Sequence, residues 1–559
     1  MKRIINTILV VATLSSAVFT LNSCQDALDI KQPGELQEQD LYTSVANLNE
    51  VLNGSVYAQL DPLDEIYFTA VFTDEVKPGS GSGGQEYSLH RHFLDPSSAV
   101  VTGGTVGTVA SDGIWMNNYK VINRVNRLLE GAKKITPVSN EDKNAYNAIL
   151  AQARAIRAYC YVQLEAYFSS DMKNPNALGV ILLKDVPSTE AKLPRVKNQE
   201  VYDFINADLD YAREILGSST NPRRYQVDKN FVNAVAARFN LYRGEMGLAK
   251  KNAELVINGS GLSLTKAIPM TGTNAQVLVT EPDGSVFQSG PFNEPTTDKW
   301  NIAFYGGIDE KTGNGIVGGS FNPYRRMWAD TDNGESIFSL NRLPLGAGAA
   351  IGGKWNTNQS NLGGSPMWFW GRNLYNIFKN TPGDIRKYAY VDPSSKPNDN
   401  YASASAGTTR NDGLVIDKYP GKLSASTRND VKVFRLSEMY FILAEAEVAA
   451  GNLSVAHDLI QKVREARNYL GAAVTPTYTD AQFAYADILK ERRVELALEG
   501  HRFLDLKRLA VLANVSMDRN PTDDIIPVKN LANGDYRYTL PIPIKETSAN
   551  SNVLQNDKY

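Results

Sequence analysis

Glu491, Glu495 and Glu499 stand four residues apart in the segment ILKERRVELALEGHRFLDLKRL, residues 488–509, beside Arg492, Arg493, His501 and Arg502. Carboxylates repeated on one helical face next to a histidine are material for general acid–base chemistry. The same spacing serves a plainer purpose, because opposite charges three and four residues apart pair along a helix surface. Leu496, Leu498, Phe503 and Leu506 supply the apolar face that such a helix buries. The segment is read as an ion-paired structural helix, and no catalytic residue is assigned in it.

Other short motifs fail on their context. Gly79–Gly84 satisfies GxGxxG, but Lys77-Pro78 precedes it where a dinucleotide fingerprint needs a strand, and no periodic helix follows. Gly348–Lys354 satisfies GxxxxGK, yet Trp355 occupies the place of the magnesium-binding hydroxyl. His90 and His92 flank Arg91, and alternate residues of an extended segment face opposite ways, so no metal site is assigned. Asp330-Thr331-Asp332-Asn333-Gly334 resembles a calcium loop, with its glycine one position early and no carboxylate at the twelfth. Calcium is the one cofactor for which the sequence offers ligands; none is otherwise expected. GxSxG and HExxH are absent. A glycosidase carboxylate pair is defined by distance in space, so scattered acids leave that alternative open.

Aromatic residues give the best binding signal. Five of the six tryptophans, Trp300, Trp328, Trp355, Trp368 and Trp370, fall in one stretch rich in Gly, Asn, Ser and Pro. A rigid indole or phenol covers the flat C–H face of a sugar at little entropic cost, while nearby amides and charges bind hydroxyls. Trp300, Tyr305, Arg325, Trp328 and Trp355, with Asn301, Asn322 and Asn356 around them, have that composition, and Tyr87 and His90 are weaker candidates. The alternative is that these indoles pin loops onto a scaffold. Trp368 and Trp370 lean that way, since Met367–Phe378 reads as a helix.

The elements that must position these residues are mostly helical. Residues 38–60, 115–132, 143–168 and 199–216 carry apolar residues at three- and four-residue spacing. Ala148, Ala151, Ala155, Ala158 and Tyr159 form a small-residue stripe for close helix packing. Phe231–Asn258 and Leu436–Arg464 resemble each other: in each, a helix ends near a glycine, Gly244 or Gly451, and an alanine, Ala249 or Ala456, follows five residues later. This is the helix-turn-helix pattern of tetratricopeptide repeats. Residues 260–430 lack periodicity, and short strands, turns and short helices are expected there. The fold class is mostly α, a tetratricopeptide-like scaffold with a large loop-rich region containing short strands.

At the N-terminus, Lys2 and Arg3 precede the apolar run Ile4–Thr20, and Leu21-Asn22-Ser23-Cys24 closes it. This reads as an export signal with a lipobox, residues 1–23 being removed and Cys24 becoming the lipidated first residue. Several acyl chains on one thiol give stable anchoring where one would not. Cys160, the other cysteine, lies in an apolar helical run and reads as a buried, inert thiol. A formal net charge of −3 gives no argument for nucleic acid.

The C-terminal motifs carry a family resemblance. ERRVELALEGHRFLDLKR, followed by Leu540-Pro541-Ile542-Pro543 and Gln555-Asn556-Asp557-Lys558-Tyr559, resembles the SusD/RagB family of nutrient-binding outer-membrane lipoproteins of Bacteroidetes, whose pattern is ERRxELAxEGxRxxDLxR, LPIP and a QNPxY end. Asp557-Lys558 departs from that end. Ala153–Tyr159 is similar to the family's LRAxxY helix, Val180–Pro187 to its GVPLVxxVP stretch, and Asp384 with Arg386 to its DxR element. The resemblance implies an N-terminal helical region over 24–260, a loop-rich ligand face over 261–430 and a C-terminal helical region over 431–559, packed as one unit. It also implies a non-enzymatic, surface-exposed binder that passes a glycan, or a peptide, to a SusC-like TonB-dependent barrel over which it acts as a lid. A secreted glycoside hydrolase, or a structural lid whose barrel does the recognising, are the alternatives.

Overall fold

The computed structural model describes residues 41–79, 81, 87–96, 110–270, 277–280, 286–289, 295, 298–305, 320–346, 348, 350–355, 366–403, 412–422, 425–523 and 529–559. Residues 1–23 and Cys24 lie outside that set. Helix α1 (Val45–Val51) runs into a π-helical turn at Leu52–Tyr57, and α2 (Leu63–Phe72) leads to strand β1 (Val76–Pro78) and the short α3 (Tyr87–His90). Then come the long α4 (Ala110–Ala132) and α5 (Asn140–Phe168), strands β2 (Leu178–Ile181) and β3 (Arg195–Lys197), and α6 (Asn198–Ile215). A capping box starts α5: the Ser139 hydroxyl accepts from the Asp142 amide, and the Asp142 carboxylate accepts from the Ser139 amide. Ala151, Ala155 and Ala158 are fully buried, so α5 can lie close against its neighbour α6.

The two repeat-like segments are helix hairpins. The first is α7 (Lys229–Arg243) with α8 (Met246–Gly259), and α7 stops where Gly244 takes the left-handed conformation, φ +76°. Next come β4 (Val277–Thr280), β5 (Val286–Ser289), α9 (Asp298–Tyr305), α10 (Pro323–Trp328), β6 (Ser336–Leu340), α11 (Ile351–Trp355), β7 (Trp368–Trp370), α12 (Arg372–Asn380) and α13 (Arg386–Tyr390). These are the short strands and helices expected of the loop-rich region. Beyond them lie β8 (Val431–Arg435), the second hairpin of α14 (Leu436–Ala449) and α15 (Leu453–Arg467), then α16 (Ala481–Glu495), α17 (Arg502–Ala513) and α18 (Ile544–Ala549). Ala249 and Ala456 are fully buried, and α8 packs on α14, which joins the hairpins side by side.

Antiparallel pairs sew the loop-rich region to the scaffold. β1 pairs with β7, Val76 opposite Trp370, and β6 pairs with β8, Ser336 opposite Arg435. One hydrophobic core extends from Tyr42 to Val553 and takes in residues of both the helical scaffold and the loop-rich region. The chain's end is clamped as well: Asn556 donates from its amide to Phe168 O and Leu540 O, and the Gln555 side chain exchanges two bonds with the Ile542 backbone. LPIP and the Gln-Asn pair are thus one structural unit at the end of α5.

Candidate functional site

The charged motif is the structural hub, and it lies inside rather than on the surface helix expected from its spacing. Glu495 on α16 is fully buried and takes Arg435 at 2.7 Å, Arg467 at 2.8 Å and Arg386 at 3.0 Å. Glu335 pairs with Arg435 and Arg467, both at 2.8 Å, and Glu499 with Arg435 and Lys418. Asp384 and Arg386 pair with each other at 2.7 Å, and Arg386 then reaches Glu491 at 2.7 Å. Further along, Arg492 pairs with Asp505 at 2.7 Å and Arg502 with Asp74 at 2.8 Å. Buried charges are tolerated when each is paired and hydrogen-bonded, and here the arginine forks meet the carboxylates several at a time. Burial pushes the Glu491 carboxyl up, but Arg386 and Arg464 overcome it and hold the group down at about 2. Despite their burial, Glu491, Glu495 and Glu499 are each held below the ordinary carboxylate range by the cations around them, so they stay locked as carboxylates and make no acid–base pair.

The tryptophans also go inside, which corrects the aromatic platform. Trp300, Trp328 and Trp355 are fully buried and present no face to solvent. Trp328 stands edge-on to Tyr390 and Tyr419, under the Lys418 ammonium at 4.4 Å and the Arg435 guanidinium at 5.2 Å. Trp355 lies 5.9 Å from the Tyr67 ring. Arg325 is buried too, paired to Asp417 at 2.7 Å and donating to Ala389 O and Asp417 O. Asn322 caps α10, accepting from the Tyr324 and Arg325 amides. The reason is bulk: in a glycine- and asparagine-rich stretch, indoles are the side chains with enough apolar surface to hold the loops down. The Tyr87 side chain and Asn356 lie outside the described residues.

What the indole of Trp300 supports is exposed in part. It stacks on Phe304 at 4.6 Å and meets Tyr305 at 6.0 Å, Phe321 at 6.4 Å and Tyr388 at 5.3 Å, while Tyr469 lies 6.1 Å from Tyr388. Its Nε1 donates to Met270 O at 2.9 Å, which fixes the ring. Tyr305, Phe321, Tyr388 and Tyr469 are each partly buried, packed against the core with some surface left to solvent. Arg325 packs 5.1 Å from the Tyr305 ring. The site is therefore an aromatic corner built from α9, the 320–324 turn, α13 and the chain just after α15. Of the six ligand candidates, Trp300, Tyr305 and Arg325 come together here; Trp328 and Trp355 sit elsewhere in the interior.

Two family models match the chain, one described as the SusD family over residues 299–559 and one described as starch-binding associating with outer membrane over residues 28–241. The chain belongs to the SusD/RagB family. SusD-like protein P2 of Formosa agariphila is 24% identical, with 97% of each chain aligned. A SusD superfamily structure from Bacteroides thetaiotaomicron superposes with a TM-score of 0.66 at 20% identity, covering 92% of this chain and 100% of its own. Surface glycan-binding protein A of Bacteroides fluxus gives 0.62 at 17%, covering 92% and 99%.

In this SusD/RagB chain the remaining candidate motifs are structural. His90 lies buried 5.6 Å from Trp368, with Nε2 3.4 Å from Val76 O, and His92 packs on Phe72 at 4.9 Å. Burial and the nearby Arg519 pull the His92 ring down to about 3, so it is neutral at ordinary pH. Among the described residues no group of three or more His, Cys, Asp or Glu side chains converges as a metal site would. In the calcium-like loop, Asp330 takes Lys432 at 2.8 Å and Asn429, and Asp332 takes Arg326 at 2.6 Å. Both acids are spent on protein donors. Sequence reasoning passed over Phe321, Tyr388 and Tyr469. Tyr388 stands two residues beyond Arg386 and Tyr469 two beyond Arg467, so hub arginines flanking tyrosines were the available signal.

Proposed function

We propose that this chain is a non-enzymatic glycan-binding lipoprotein of the outer membrane, tethered through Cys24, facing the cell surface, and passing an oligosaccharide to a SusC-like TonB-dependent barrel as its lid. The observation that carries the reading is the partly exposed ring set of Tyr305, Phe321 and Tyr388 packed around buried Trp300, with Tyr469 against Tyr388. Rigid aromatic edges backed by a buried indole offer a sugar ring apolar contact with little ordering cost. The family description, starch-binding associating with outer membrane, supports the same ligand class and the same location. Binding and release need no covalent step, and the acids of the 488–509 segment are engaged in ion pairs.

The test is calorimetric titration of the full chain, solubilised in detergent, with a panel of oligosaccharides and peptides. The reading expects at least one oligosaccharide to bind and to be recovered unhydrolysed. Hydrolysis of the bound glycan, or binding confined to peptides, would overturn it.

A further inference from the structure

The face of α16 that carries Phe483, Asp487, Lys490 and Val494 borders open space beside the hub. Two cavities of about 550 and 860 Å³ lie along it and share Ile377, Pro476, Asp487 and Lys490. Phe483, Asp487, Lys490 and Val494 line this groove from one helix at three- and four-residue spacing. At 1.5 Å rise per residue that stretch is about 16 Å long, the length of a short oligomer rather than a single small molecule. Its far wall includes Asn468, next to Tyr469 of the aromatic corner.

The groove's charges cancel except at one point. Arg386 is paired with Asp384 at 2.7 Å, Arg464 with Asp487 at 2.9 Å and Glu491 at 2.8 Å, and Arg467 with Glu335 and Glu495 at 2.8 Å. Arg493 is paired with Asp518 at 3.2 Å and Arg502 with Asp74 at 2.8 Å. Lys490, exposed where the two cavities meet, has no acidic partner among the described residues. Asn380, Asn514 and Ser516 leave their polar groups to solvent along the walls, and Phe483 shows 39% of its surface. An aromatic, several open amide and hydroxyl groups, and one uncompensated ammonium complement a polyhydroxylated chain that carries a negative group.

We infer that this groove binds an acidic oligosaccharide, with the Lys490 ammonium taking a carboxylate or sulfate of the ligand. The inference rests on the glycan reading above and narrows its ligand class. The full chain in detergent is titrated with oligogalacturonate, a sulfated oligosaccharide and maltohexaose, for the wild type, Lys490→Glu and Phe483→Ser, with a thermal melt of each to verify folding. The expected result is that one or both anionic probes bind, that Lys490→Glu weakens them at least tenfold while maltohexaose is unchanged, and that raising salt from 0.05 to 0.5 M weakens the wild type alone. Which anionic probe responds distinguishes carboxylate from sulfate. Anionic binding that survives Lys490→Glu, or binding of maltohexaose alone, would overturn the inference and leave the glycan reading standing. Failure of every oligosaccharide to bind would overturn both.

Discussion

The cluster around Glu495 and the corner around Trp300 each gather side chains from distant segments, yet the Glu495 cluster is almost wholly buried while the corner's outer rings are partly exposed. At Glu495, every guanidinium and carboxylate faces another across 2.7–3.2 Å in the interior, and the stretches carrying Glu335, Arg386, Arg435, Arg467 and Glu495 are tied by it. At Trp300 the buried ring is a base, with Tyr305, Phe321 and Tyr388 packed around it and Tyr469 beyond Tyr388, all four partly buried. Residues rich in chemical possibility thus divide into a buried, ion-paired set and a set that is partly open to solvent. Exposure, rather than residue type, makes the division.

The strongest way to break this contrast is Glu495→Ala, which strands Arg386, Arg435 and Arg467 without their shared carboxylate. A loss of about 3–5 kcal/mol is expected, measured by denaturant unfolding. Trp328→Ala should cost a similar or slightly smaller amount, about 3–5 kcal/mol, because it opens a cavity under three cations. Little change in either variant would mean that these interior groups are not structural supports.

A pH titration sharpens the contrast further. Glu491 is held at about 2 in the fold against an ordinary carboxylate near 4.5, so the stability it contributes is complete above 4.5 and is lost as the pH falls toward 2. Glu65 behaves in the opposite sense. Burial pushes its carboxyl up to about 8, so its contribution is complete below 4.5 and is lost as the pH rises through 8. Thermal melts across pH 2–9 should show Glu491→Gln losing part of the slope below 4.5 and Glu65→Gln losing part of the decline between 4.5 and about 8. Unchanged slopes would contradict the assignment of those groups.

Much of the scaffold was legible because its signals are local. Apolar spacing placed α4, α5 and α6 within a few residues, and Gly244 with Ala249 marked the first hairpin. The ERRVE segment was legible as structural, but its depth was not: helical spacing describes one helix, whereas Arg386, Arg435 and Arg467 arrive from elsewhere and turn a surface pattern into a buried hub. The aromatic corner was half legible. Tryptophan content pointed to the region that contains the corner, but whether an indole covers a ligand or a loop depends on what packs against it. Trp300 drew attention through its size, while Tyr388, farther along the chain, is its partly buried partner and Tyr469 packs on Tyr388 in turn.

Smaller in structural effect are changes that leave both clusters intact. Cys24→Ala should keep glycan binding but release the chain from membranes in fractionation, and retention in the membrane fraction would contradict the tether. The most direct measurement of the central claim pairs affinity with stability in the double variant Tyr305→Ala and Tyr388→Ala, titrated with an oligosaccharide that the wild type binds. The account predicts at least a tenfold loss of affinity with an unfolding free energy close to that of the wild type and far above that of Glu495→Ala. Wild-type affinity in the folded double variant would contradict it.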